Sequence, residues 1–231
     1  MVDGVTGATV AGALGAHPGD AVAVERAGYL RRDTIVPRDG LVSLWPMTVD
    51  LAYVQTVVYS ETAARNRLLR WATTTIPVPR DFPSDVTEAV RPWVALVPSD
   101  SPAVAIVVDP NDPGFATLDA NTIGFAFTQI SDADAHILST RLVFKSDFDL
   151  NQPGNLLHEM GHALGLHHSA RVADIMFPST ARTTTTFSAD ERVLLTMMYA
   201  HRRSGQIAPD DDRAVGQAAT SSTAVIRVIS P

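Results

Sequence analysis

The sequence predicts an α/β fold, with helices packed on one mixed sheet. Three observations lead there. Strand-length apolar runs recur at residues 41–45, 76–82, 103–108, 123–130 and 137–144. Helical patterns stand at about 49–72, at 155–166 and from 188 onward. The resulting order of strand, helix and four further strands fits one sheet with a helix against it.

Each element has its own justification. Residues 1–20 are rich in Gly and Ala without a period and read as a leader. Residues 21–39 hold two short β-like pieces. The run LVSLW at 41–45 reads as a strand that Pro46 stops. Val54, Val57, Val58, Leu68, Leu69 and Trp71 supply one apolar face for a helix over 49–72, with Asp50 at its start. Prolines in 76–82 make that strand short or place it at an edge. Ser84 opens one or two helical turns. The unbroken run AVAIVV at 103–108 suits a strand buried on both faces. Two more strands, 123–130 and 137–144, flank the segment SDADAH. Pro153-Gly154 opens a helix over 155–166. Ser188 and Glu191 form a capping box for the last helix, with Val193, Leu194, Met197 and Met198 facing inward. Beyond 204 the chain is a polar tail with a final β-like piece at 224–229.

Composition narrows the function. Lys plus Arg is 18 and Asp plus Glu is 25 in 231 residues, a formal net charge of −7. That balance argues against a phosphate-neutralising nucleic-acid surface. There is no cysteine, so neither disulfides nor thiolate metal ligands exist. No stretch approaches the ~18 apolar residues of a membrane span. The first residues lack the basic and apolar regions of a signal peptide.

The chemistry concentrates in HEMGHALGLHH, residues 158–168. Helical positions four apart differ by only ~40° and one turn. His158 and His162 therefore share a face and can share an ion. Glu159 lies ~100° round from His158, beside the ion, where a carboxylate can take a proton from water. Leu156, Met160, Ala163 and Leu164 fall on the opposite sector and would anchor the helix in the core. Gly165 can end the helix in a left-handed turn, which lets His168 swing back as a third ligand. Three neutral imidazoles leave a zinc ion its full charge and an open position. The competing reading is a chance motif with a satisfied histidine pair; Gly165, His168 and Met176 at their offsets weigh against it.

These residues resemble the metzincins, and among them the matrixins. Residues 158–168 match HExxHxxGxxH, and DIMFP at 174–178 looks like the Met-turn, with Met176 beneath the metal. Residues 137–147 are similar to the strand before the zinc helix, 69–76 to the end of the first helix, and 187–199 to the C-terminal helix. The resemblance implies a twisted five-stranded sheet with one antiparallel edge strand, two helices packed on it, and a small C-terminal subdomain after Gly165. It implies an N-terminal extension at 1–40, a catalytic domain at 41–203 and a tail at 204–231.

The function implied is zinc-dependent hydrolysis of internal peptide bonds in a secreted or cell-surface, monomeric enzyme. His158, His162 and His168 would hold Zn2+, and Glu159 would be the general base. A protein or peptide substrate would lie extended and antiparallel along 123–130. His167 would point outward or bond locally. Departures from the family are also visible. Only His136 lies where a structural zinc would need several histidines, so no second zinc is expected. Phe177 removes the tyrosine ligand of some relatives. Pro178-Ser179-Thr180 replaces the usual wall of the pocket for the residue after the cleaved bond, which leaves substrate preference open. Asp109, Asp112, Asp132, Asp134, Asp147 and Asp149 are candidates for Ca2+, although loop aspartates are commonly turn formers. Residues 1–40 could confer latency if Asp33 or Asp39 capped the metal; an ordinary leader or added strand is the simpler reading. The rival functions are a zinc-holding peptide binder without catalysis and a processing protease with one partner.

Overall fold

The structure, a computed structural model, describes residues 21–24, 28–29, 32–35, 44–59, 67–200, 202, 204–205 and 223–229. β1 (Ala21–Val24) and β2 (Arg32–Ile35) form a separate antiparallel pair. Asp33 sits in that pair opposite Ala23; Asp39 and residues 41–43 lie outside the described residues. Leu44 and Trp45 are buried but form no strand.

α1 (Leu51–Val58) begins where Asp50 accepts the Ala52 N–H at 2.9 Å. It buries Tyr53, Val54, Val57 and Val58. The helix expected over 49–72 stops here: Tyr59 is extended, and it bridges to Leu68. Residues 60–66 lie outside the described residues. β3 (Arg70–Trp71) and β4 (Thr75–Val78) are strands, so 69–76 does not end a helix. The reason is tertiary. Leu68, Leu69 and Trp71 are buried, and the Trp71 indole N–H donates to Ala163 O at 2.7 Å. Packing overrides a weak helical period.

α2 (Ser84–Val90) leads to β5 (Ala95–Pro98), which pairs with β4 in parallel. β6 (Val104–Val108) follows. It was expected to be buried on both faces, but only Val104 is buried and Val108 is exposed; its far end lacks a cover. β7 (Gly124–Ser131) and β8 (His136–Phe144) come next, then α3 (Asp147–Leu150), α4 (Asn155–Ala163), α5 (Ala189–Ala200) and β9 (Thr223–Ile229).

β8 is the axis of a five-stranded sheet. β3 pairs with its start and β6 with its end, both in parallel. β7 lies antiparallel on its other side. One backbone hydrogen bond, from Ala103 N–H to Pro77 O at 2.8 Å, ties the β4–β5 pair to the approach of β6. The mixed α/β architecture is thus present, but the antiparallel strand expected at the edge is covered. β9 pairs antiparallel with β7 from Phe125 to Ser131. An open edge of unpaired backbone groups favours such an addition.

The helices pack on this frame through one core. Met160, Ala163 and Leu164 of the α4 segment are fully buried, beside Leu142, Phe144, Leu194 and Met198.

Candidate metal centre

α4 starts at Gly154, in the left-handed region at φ 83°. Every residue of the helix is buried, including the two histidines and Glu159. A short helix with a buried end needs partners for its last carbonyls. The core supplies them: Trp71 donates to Ala163 O, and the Tyr199 hydroxyl donates to Leu164 O at 3.0 Å. The helix ends at Ala163, three residues before the predicted limit. Gly165 follows at φ 95°. A Cβ there would lie 2.1 Å from Leu69 O, so both the turn and the close approach demand glycine.

The turn does what the spacing predicted. His158, His162 and His168 come together with one ligand nitrogen each, all within 4.8 Å of one another, and this group could hold a metal ion. The His162 and His168 Nε2 atoms are 3.2 Å apart. Two tetrahedral zinc–imidazole nitrogens would be about 3.3 Å apart, from bond lengths near 2.0 Å. Nδ1 of His158 lies 2.6 Å from Ile175 O, and Nδ1 of His162 lies 2.8 Å from Leu166 O. Those carbonyls select the tautomer with hydrogen on Nδ1, which leaves Nε2 as the lone-pair atom. His158 Nε2 is buried without a hydrogen-bond partner; a metal bond would satisfy it. Burial, and then the neighbouring His168, push His158 down to about 3. Burial likewise pushes His168 down to about 4 and His162 well below its usual value. All three are neutral at pH 7, the form that ligates.

His167 does not join this group. It was expected to point outward or to bond locally; it is buried, with its Nε2 lacking a partner. Its backbone N–H donates to Val57 O of α1 at 2.7 Å, which fixes the backbone at this buried position.

The loop after His168 is tied to the helix above it. Asp174 Oδ2 accepts from Ser169 Oγ at 2.5 Å and from the Tyr53 hydroxyl at 2.7 Å. Burial, and then Asp174, push the Tyr53 phenol up. Ser169 N–H donates to Met176 O at 2.9 Å. Met176 is fully buried and its sulfur packs on Gly161, where an added Cβ would come within 2.3 Å. Glu191 caps its own helix through Ser188 N–H at 2.7 Å and also accepts Ile175 N–H at 3.1 Å and Met176 N–H at 2.8 Å.

Arg182 was not anticipated. Its guanidinium bonds Asn155 and the carbonyls of Phe177 and Ser179, the latter two at 3.3 and 3.4 Å. It reaches the pocket beside Glu159, which Ile123, Phe144, Asn155, Pro178 and Thr180 also line. An isolated arginine in a threonine-rich loop carries no periodic signal, so only the fold could reveal it.

The six aspartates considered for calcium do local work. Asp109 accepts Asn111 N–H at 2.9 Å, Asp112 accepts Gly114 N–H and pairs with Arg141, and Asp149 accepts from Ser146 Oγ at 2.6 Å. Asp134 pairs with His136 at 2.8 Å. Asp147 stands in the first turn of α3, and Asp132 lends its carbonyl to Arg67. Among the described residues none of them enters a group of three fit for an ion.

Residues 118–200 match the matrixin family model. This segment is matrixin-like. It runs from the approach to β7 to the end of α5 and holds all three histidines, Glu159 and Met176. No curated protein matches the chain. No described helix of the matrixin-like segment, or elsewhere, is long and apolar enough to cross a membrane.

Proposed function

We propose that residues 41–203 form a zinc-dependent endopeptidase domain, with 1–40 and 204–231 as its extensions. His158, His162 and His168 hold the ion, Glu159 is the general base, and DIMFP at 174–178 is the Met-turn, with Met176 and Gly165 in support. The carrying observation is the buried convergence of three imidazole nitrogens beside a glutamate on the same helix. The matrixin match over that segment supports it.

When bound, zinc supplies Lewis acidity, activating water and polarising a peptide carbonyl. The chain's own residues do the rest. The Ile175 and Leu166 carbonyls hold the His158 and His162 rings in place. Glu159 takes the proton of the attacking water and returns it to the leaving amine. The Arg182 guanidinium lines the same pocket as Glu159, within electrostatic reach of it. The substrate is a protein or peptide, and the family resemblance favours secretion and a monomer.

Glu159→Ala tests the assignment. Zinc content should stay at wild-type level while cleavage of a good peptide falls by ~10²–10⁴-fold, the contribution of general-base catalysis. Near wild-type turnover by the variant would refute the mechanism.

A further inference from the structure

β7 begins beside the pocket of the proposed catalytic glutamate. Ile123, just before it, lines the pocket that holds Glu159 and Arg182. One edge of β7 is spent on β8. The other would be a row of bare N–H and C=O groups, the surface to which an extended peptide adds as a strand. In this structure that row is taken by the chain itself. β9 pairs with it residue for residue, from Phe125↔Ile229 to Ser131↔Thr223.

Direction matters as much as occupancy. β9 runs antiparallel to β7, so it travels toward the pocket end and leaves the ladder at Ile229, opposite Phe125. Only Gly124 separates that position from Ile123. A peptide bound in the same sense would need the same backbone groups, so the two cannot bind together. β9 has no strand on its other side among the described residues. A strand held on one side only is the first to open.

We propose that residues 223–229 are a displaceable internal ligand, an autoinhibitory strand occupying the β7 edge that an extended substrate requires. The proposal rests on the peptidase reading for its consequence, though not for the competition itself. Because the strand belongs to the same chain, it meets β7 at an effective concentration on the order of millimolar. An intrinsic affinity of about 0.1 mM then closes the edge roughly nine-tenths of the time and raises the apparent KM about tenfold.

The test uses the full chain carrying I226P/R227P. Neighbouring residues of an antiparallel strand alternate between bonded and non-bonded pairs, so the two prolines together must remove a ladder hydrogen bond. KM for a peptide substrate should fall about tenfold with kcat unchanged. The synthetic peptide TAVIRVI should inhibit the variant competitively. An unchanged KM in the folded variant overturns the proposal. Hydrogen exchange of the wild-type chain gives a second reading that needs no variant. The β7 amides facing β9 should be protected only about tenfold, far less than those facing β8. Equal protection of the two sets shows β9 to be fixed structure and also overturns the proposal. The two readings fail separately. If both chains cleave with the same KM, the peptidase stands and the internal ligand falls. If neither cleaves any peptide, but TAVIRVI binds the variant about tenfold more tightly than the wild type, the internal ligand stands and the peptidase falls.

Discussion

Two adjacent histidines show how much a single residue step decides. His168 joins His158 and His162, while His167 stays out of that group, buried, with its backbone N–H fixed on Val57 O. His168→Ala should lose zinc and all activity. His167→Ala should keep the metal, with a loss of activity of at most ~10–100-fold if packing shifts a ligand. Elemental analysis of the purified variants distinguishes them, and the reverse pattern would overturn the assignment. Gly165 is as constrained as any ligand. An alanine there meets Leu69 O and a φ of 95°. Gly165→Ala should cost about 3 kcal/mol or more in denaturant unfolding. A cost under about 0.5 kcal/mol, typical of neutral surface changes, would show that the turn relaxes freely.

At the scale of elements, Glu191 joins the last helix to the loop that follows the candidate metal ligands. The capping box was visible in the sequence, but its second task was not, because it depends on where 175–176 lies. Glu191→Ala leaves the Ile175, Met176 and Ser188 N–H groups without this acceptor. The expected cost is about 3 kcal/mol, for two buried donors and one part-buried donor. Burial, its largest cause, holds the Glu191 carboxyl above its ordinary 4.5. The folded chain therefore keeps that proton more tightly than the unfolded one. The contribution is full below 4.5 and is lost as pH rises through the folded value. Stability of Glu191→Gln relative to wild type should accordingly improve as pH rises across that window; a constant difference would contradict the shift. The same contrast explains what could be read beforehand. The histidine spacing, the Gly165 turn and the β7 and β8 runs are local patterns, and the structure contains them. The strand at Arg70–Trp71 where a helix was expected, the buried His167 and the arginine in the pocket depend on distant partners such as Ala163, Val57 and Asn155, which no local period encodes.

At the scale of the whole molecule, the three histidines connect two parts of the chain. His158 and His162 belong to a helix anchored under the sheet by Trp71 and Tyr199. His168 opens the loop that Asp174, Tyr53 and Glu191 secure. Both parts carry hydrogen bonds and core contacts that need no ion, so the fold should survive without metal. The ion should add its binding energy to an already folded chain. With free zinc at about a thousand times its Kd, the gain is ~4 kcal/mol. For a chain of this size that corresponds to a rise in Tm of roughly 10 °C. A strong chelator should therefore abolish cleavage and lower Tm by that order while leaving one cooperative transition and an unchanged far-ultraviolet dichroism spectrum. His168→Ala, which lacks the ligand joining the two parts, should show little zinc-dependent rise in Tm. Loss of dichroism on chelation would instead mean that the metal holds the two parts together, and that Trp71, Tyr199 and Glu191 do not suffice.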